Sequence, residues 1–200
     1  LSGVPSNIEP WAHSYTVDSL FNVYRVNHKG DTLIRNSVMD IDQIASELRN
    51  GIKSMSPEEA LVKISLIVHL VGDMHCPFHI MYVPQDPTGG AYCYFIGDKK
   101  VCPHDLWDHT IWKYLNADWS YEDYAKAADT ASPSEIASVT EGYVFDWGKA
   151  CARDAFEAHL AGLGARLDAS YPETMRPLLY KQLRNGGYRL AALLDYIFSE

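Results

Sequence analysis

Val68-His69-Leu70-Val71-Gly72-Asp73-Met74-His75-Cys76-Pro77-Phe78-His79 is the stretch on which the fold turns. Upstream of it, Ser56-Pro57-Glu58-Glu59 is a strong helix start, with a capping serine, proline at the first helical position and acids at the positive end of the dipole. The pattern predicts a helix from there to about Met74, ended or kinked by Pro77, which has no backbone N–H to give. That helix reads as apolar on nearly every side, which places it in the centre of the fold. Into this setting the sequence inserts His69 and Asp73, four residues apart and therefore on one face. Neither group is at home there without a partner, and an unpaired carboxylate would protonate or be strongly destabilising.

A second pair, His104 and Asp108, repeats the spacing on a helix opened by Pro103 and running through Leu115. His79 lies just beyond Pro77, where the chain leaves the central helix and can turn a ligand inward. A divalent cation satisfies both kinds of group, taking imidazole nitrogen and carboxylate oxygen at about 2.0–2.2 Å. An isolated His-x-x-x-Asp is ordinarily a satisfied core pair. Two such pairs flanking a third histidine exceed what one zinc needs, so a multinuclear site explains the pattern better. His75 and His109 point to other faces and read as surface or supporting residues, and His28 and His159 as solvated. Trp107, Trp112 and Trp147 read as core rather than as base-stacking platforms. The cysteines, with no Cys-x-x-Cys spacing, read as poor ligands, and no Glu-x-x-His motif suggests an iron carboxylate bundle.

Outward from the centre, Asp40 to Asn50 reads as a short helix closed by Gly51, and the first 35 residues as irregular with a turn near His28. Residues 81–102 form one irregular central loop, with a β-like stretch from Ala91 to Ile96. Ser120-x-x-Asp123 starts another helix, Ser132-Pro133-Ser134-Glu135 a long one through Leu160, and Pro172 the last, bent by Pro177. Within the last, Asn185-Gly186-Gly187 either breaks the helix or lets another backbone approach closely. The fold class is all-α: a single mostly helical domain over residues 1–200, with room for one short β-hairpin.

Composition agrees with a globular chain: 200 residues, 47 % hydrophobic and 22 % charged. The net charge of −9 argues against a partner held by broad phosphate neutralisation, but not against a phosphate met at bound cations. The longest apolar run, Leu61 to Val71, contains Lys63 and His69 and falls short of the roughly 20 residues that span a bilayer, so no membrane anchor is expected. No protein partner is inferred. Cys93 and Cys102 flank a turn-like Gly97-Asp98-Lys99-Lys100 and are the expected disulfide; the even cysteine count fits a secreted or periplasmic protein. The chain opens Leu1-Ser2-Gly3 without an initiator Met and reads as lacking its natural N-terminal segment.

The central stretch resembles the signature of the three-zinc, single-strand-preferring nucleases of fungi, plants and bacteria (mung-bean-nuclease type), relatives of the zinc-dependent phospholipases C. In that family the motif reads roughly His-Phe-Ile-Gly-Asp-x-x-Gln-Pro-Leu-His. His104-Asp105-Leu106-Trp107-Asp108 resembles its His-x-x-Trp-Asp, and Gly89-Gly90, followed by Ala91, its Gly-Gly-Asn. Gly186-Gly187-Tyr188-Arg189-Leu190-Ala191 is similar to its closing Gly-Gly-x-Arg-Leu-Ala. The resemblance implies up to three zinc ions in the complete protein. His69 and Asp73 would belong to the paired-zinc side, with Asp73 bridging, and His79, His104 and Asp108 would hold the remaining ion. Trp11-Ala12-His13, ahead of Asp18, lies at the interval of the family's early histidine ligand, so the resemblance adds His13.

The family's N-terminal Trp, a nearby histidine and an early Trp-Ala-Asp segment have no counterpart; they would lie upstream of Leu1. The family's Asn-Leu before the second histidine is Cys102-Pro103 here. The implied activity is hydrolysis of phosphodiester bonds in RNA and single-stranded DNA, with release of 3′-terminal phosphate from nucleotides. Two rivals remain: a zinc-dependent phospholipase C, and a metal-depleted inactive homologue. The apolar and aromatic residues Ile80, Met81, Tyr82, Val83, Tyr92, Tyr94 and Phe95 would serve base stacking or a lipid rim equally well.

Overall fold

The computed structural model describes residues 13–25, 35–83, 94–96, 98–115, 118–160 and 166–199. Its helices begin where the capping chemistry says they should. Helix α1 (Ser37–Gly51) starts at Asn36, whose side chain accepts the Met39 N–H at 3.0 Å. Helix α2 (Pro57–His75) starts at Ser56, whose hydroxyl accepts the Glu59 N–H at 3.1 Å. It ends at Cys76, where the chain turns extended and Pro77–His79 forms one 3₁₀ turn. The expectation of an all-round buried helix does not hold: Ile67, Leu70, Val71, Asp73, Met74 and His75 of its C-terminal half are buried, but Val68 and Gly72 in the same half are exposed. Leu61 also faces outward, because the first turns pack on one side only, against α1, with Lys63 bound to Glu47 across the pair.

Strand β1 (Tyr15–Val17), in a segment whose sequence reads as irregular, pairs in parallel with β2 (Ile80–Tyr82), Tyr15 opposite Ile80. The Tyr15 hydroxyl donates to the Gly148 carbonyl at 2.9 Å, which ties β1 to the helix behind it. The hairpin is present as β3 (Tyr94–Ile96) against β4 (Lys99–Val101), with β5 (Arg166–Leu167) parallel on the other edge. Pro103 opens a helix in three parts: α3 (Pro103–Asp105), a π-helical segment (Leu106–Thr110) and α4 (Ile111–Leu115). Helix α5 (Tyr121–Ala128) carries the expected capping box at Ser120 and Asp123.

The long helix expected from Ser132 to Leu160 is two helices, α6 (Pro133–Thr140) and α7 (Val144–Leu160). Gly142 between them has φ of +80°, a left-handed conformation suited to glycine, and Asp146 accepts the Tyr143 N–H at 3.1 Å to start α7. Helix α8 (Tyr171–Phe198) runs through both Pro177 and the glycine pair. The pair neither breaks the helix nor admits another backbone: at Gly186 it is the His75 side chain on α2 that comes close, 3.3 Å from where a Cβ would sit, and at Gly187 nothing lies within 4 Å.

Two apolar clusters hold these elements. One joins α1, the buried half of α2, β1, β2, α7 and the end of α8, around Tyr15, Ile41, Leu48, Leu70, Met74 and Leu193. The other joins the three-stranded sheet, the Pro103–Leu115 helix and the start of α8, around Tyr94, Leu106, Trp107 and Ile111. The turn Pro77–His79 lies between them. Cys76, Cys102 and Cys151 carry free thiols; Cys93, the other half of the expected Cys93–Cys102 bridge, lies outside the described residues. So do His28, Trp11 and Gly89-Gly90-Ala91. No described helix is long and apolar enough to cross a membrane.

Candidate metal centre

Helix α2 presents His69 and Asp73 toward β1, and the chain just ahead of β1 brings His13 over them. His13 Nδ1 lies 2.8 Å from Asp73 Oδ2 and 2.9 Å from His69 Nε2, and His69 Nε2 lies 3.2 Å from the same oxygen. Three potential donors to a metal thus form a triangle whose edges approach the roughly 3.3 Å separation of ligands around tetrahedral zinc. Protons alone satisfy this triangle poorly. If both rings donate to Asp73, two N–H groups press on each other; if one does not, its lone pair faces the carboxylate. A cation shared by all three lone pairs removes the conflict, so the residues fit the ion.

The second set begins at His79, held by the 3₁₀ turn. The His159 ring donates to the Pro77 carbonyl at 2.7 Å and stacks on Phe78 at 4.3 Å, which fixes that turn from α7. His159 is therefore a packed anchor and not the solvated residue its sequence context suggests. His79 Nδ1 donates to the His13 carbonyl at 2.7 Å; a carbonyl only accepts, so in the neutral ring Nε2 carries the lone pair. That Nε2 faces His104 Nε2 at 3.0 Å and Asp108 Oδ1 at 3.6 Å. Asp108 sits in the π-helical segment, a local widening that recurs at functional sites. His13, His69, Asp73, His79, His104 and Asp108 are thus gathered in two adjoining sets, with His79 Nδ1 only 4.0 Å from Asp73 Oδ2.

Charge explains why the two sets want cations. Among the described residues no lysine or arginine forms an ion pair with Asp73 or Asp108; their partners are imidazoles. His109, exposed, touches the second oxygen of Asp108 at 3.2 Å. Burial holds the His104 ring below the usual histidine range, and the neighbouring His79 adds to that, so the neutral, ligand-competent form is favoured.

Cys76 is a residue the sequence argument missed. Its Sγ lies with the donor atoms of His79 and Asp108 in a group whose members are all within 4.8 Å of one another. The signal in the sequence is the spacing Cys76-x-x-His79, which a search for paired cysteines does not reveal. Burial pushes this thiol up to about 12, with Asp108 and Asp73 adding to the shift.

His75 is not at the surface. It is buried between α2 and α8, donating from Nδ1 to the Val71 carbonyl at 2.7 Å and accepting from the Arg189 guanidinium at 3.0 Å. Burial, then the Arg189 charge, pushes its pKa down to about 3. Trp107 and Trp147 are core, as expected. Trp112 instead lines two adjoining clefts. One, of about 320 Å³, reaches Asp108, and the next, of about 550 Å³, is lined by Tyr121, Tyr124, Tyr188 and Arg184; both share Leu183 and Gly187. The described residues among those offered for base stacking or a lipid rim are dispersed. Ile80, Tyr82 and Tyr94 are core, Phe95 lies beneath Arg166, Met81 and Val83 are exposed, and Tyr92 lies outside the described residues.

Comparison with known proteins agrees with this geometry. A family model described as S1/P1 nuclease matches residues 11–199. The chain is 27 % identical to Endonuclease 2 of Arabidopsis thaliana, over 70 % of this chain and 52 % of that protein. It is 28 % identical to Endonuclease 4 of the same plant, over 78 % of this chain and 56 % of that protein. The chain therefore spans about half the length of the curated relatives it matches.

Proposed function

The chain belongs to the S1/P1 nuclease family, and from that premise we propose that it is a zinc-dependent phosphodiesterase cleaving RNA and single-stranded DNA, with 3′-nucleotidase activity. The observation that carries this reading is the convergence of His13, His69 and Asp73 beside His79, His104 and Asp108, with neither carboxylate paired to a lysine or arginine among the described residues. Zinc bound there supplies Lewis acidity toward a phosphodiester and acidifies a bound water toward neutrality. Asp73 would supply negative charge to the first set and Asp108 to the second. The bond from His79 to the His13 carbonyl holds the two sets in register. Phosphate is drawn to the site despite a net charge of −9, because the local charge belongs to the cations.

Preference for single strands follows from the clefts beyond Asp108. Trp112, Tyr121, Tyr124 and Tyr188 offer ring faces on which an unstacked base gains about 1–3 kcal/mol, and Arg184 offers charge to a phosphate. A duplex keeps its bases stacked inside and cannot use those faces.

The test is hydrolysis of a single-stranded oligonucleotide, a duplex, a 3′-nucleotide and phosphatidylcholine by zinc-loaded protein, before and after chelation. Oligonucleotide and 3′-nucleotide cleavage that disappears with chelator and returns with zinc supports the proposal. Faster hydrolysis of the phospholipid would move it to the phospholipase reading. Fewer than one zinc bound per chain, with no cleavage, would make it the inactive homologue.

A further inference from the structure

We propose that the Cys76 thiolate is a fourth ligand of the cation held by His79, His104 and Asp108. The inference rests on the metal-centre reading above and goes beyond it in the donor set, which the sequence motif limits to imidazole and carboxylate. Three observations carry it. The Cys76 sulfur, a ring nitrogen of His79 and a carboxylate oxygen of Asp108 lie within 4.8 Å of one another. The His79 side chain is only 6 % exposed and has its Nδ1 hydrogen committed to the His13 carbonyl, so Nε2 is the nitrogen that faces His104 Nε2 at 3.0 Å and Asp108 Oδ1 at 3.6 Å. Cys76 itself is fixed at the start of the 3₁₀ turn, where its carbonyl accepts the His79 N–H at 3.1 Å.

Chemistry favours the assignment. Zinc takes thiolate at about 2.3 Å and imidazole at about 2.0–2.1 Å, which separates sulfur from nitrogen by about 3.6 Å around a tetrahedron. The cluster reaches that spacing by contracting about 1 Å, within the swing of a cysteine χ1. The corresponding position of the motif this stretch resembles is glutamine, whose neutral amide brings no charge to a cation. A thiolate here would bring a negative charge to the ion instead.

The consequence is functional. With Cys76, the second cation has four protein ligands, the closed coordination of structural sites. Cys76 would strengthen the second site and add a negative charge beside its cation.

Cobalt(II) added to metal-free protein reads the ligand directly. The wild type is expected to show visible d–d bands together with a near-ultraviolet thiolate-to-cobalt charge-transfer band. Cys76→Ser is expected to keep the visible bands and lose the charge-transfer band, with zinc affinity weakened at least about tenfold. Cys93→Ser, Cys102→Ser and Cys151→Ser should leave the band unchanged. Zinc X-ray absorption of the wild type, which does not depend on a variant folding, should show a sulfur scatterer at about 2.3 Å. Visible bands with no charge transfer, or sulfur-free zinc scattering, would overturn the proposal while leaving the metal centre standing. No cobalt spectrum of any kind would overturn both.

Discussion

His79 donates from Nδ1 to the carbonyl of His13 at 2.7 Å, so a residue just ahead of β1 and one just ahead of β2 lock together at the point where the two donor sets meet. Through this bond the parallel pairing of two three-residue strands fixes the spacing of the whole centre.

Two substitutions at His79 separate its roles. Asparagine can still reach the His13 carbonyl with its amide N–H but offers no nitrogen at the position of Nε2; alanine does neither. Both variants are expected to lose one bound metal and to reduce cleavage by more than about 100-fold. In the metal-free state His79→Asn should unfold within about 0.5 kcal/mol of wild type, and His79→Ala about 1–2 kcal/mol below it. Equal metal-free stabilities from denaturant titrations would show that the bond to His13 does not order the strands.

Asp73→Asn removes the charge of the first set while keeping the side chain's shape. Metal analysis is expected to show the loss of at least one zinc per chain, and nuclease activity should fall with it. Chelation of the wild type should lower Tm, since a ligand present at 100 times its Kd stabilises by about 2.7 kcal/mol. Asp73→Asn should show a smaller drop on chelation than wild type. An identical drop in both would mean that Asp73 contributes nothing to the bound ion.

Acid should destabilise the metal-free fold through His75. Its folded pKa is pushed down to about 3, whereas the unfolded ring titrates near 6.5. Below pH 6.5 the unfolded chain therefore takes up a proton that the folded chain refuses. The stabilisation is complete above that pH and is lost as pH falls toward 3, by up to about 1.4 kcal/mol per pH unit. His75→Gln in chelated protein removes this dependence, so the wild-type and variant stability curves should converge with acid. Parallel curves would contradict the buried, neutral ring.

The sequence made the metal centre legible because two of its elements are local. A four-residue spacing puts His69 with Asp73 whatever the tertiary structure does, and Pro77 dictates that His79 lies beyond the helix end. The placement of His13 was not readable from its surroundings, since it depends on β1 pairing with a strand some 65 residues away, and only the motif resemblance pointed to it. The break between α6 and α7 was written in Gly142, but helical spacing on both sides hid it. Cys76 escaped because its chemistry depends on where the 3₁₀ turn aims a sulfur, which no pairwise spacing of cysteines reveals. The settings of His75 and His159 are not legible locally for a related reason: His75 is buried against α8 and His159 is held, half-buried, on the turn at Pro77, both partners remote in sequence.

The glycine pair of α8 offers a test of close packing that needs no metal. Gly187 has open space where a Cβ would go, so Gly187→Ala should stabilise by about 0.5–1 kcal/mol through helix propensity and a less mobile unfolded chain. Gly186 is different, because its Cβ would meet the His75 ring at 3.3 Å, and that ring is held at both nitrogens by Val71 and Arg189. Moving it breaks a buried hydrogen bond, so Gly186→Ala should lose more than propensity returns, a net destabilisation of about 1–2 kcal/mol. Denaturant midpoints of the two variants should therefore shift in opposite directions. If both rose, α2 and α8 would be too loosely packed at His75 for the close approach to matter, and the glycine at 186 would need another reason.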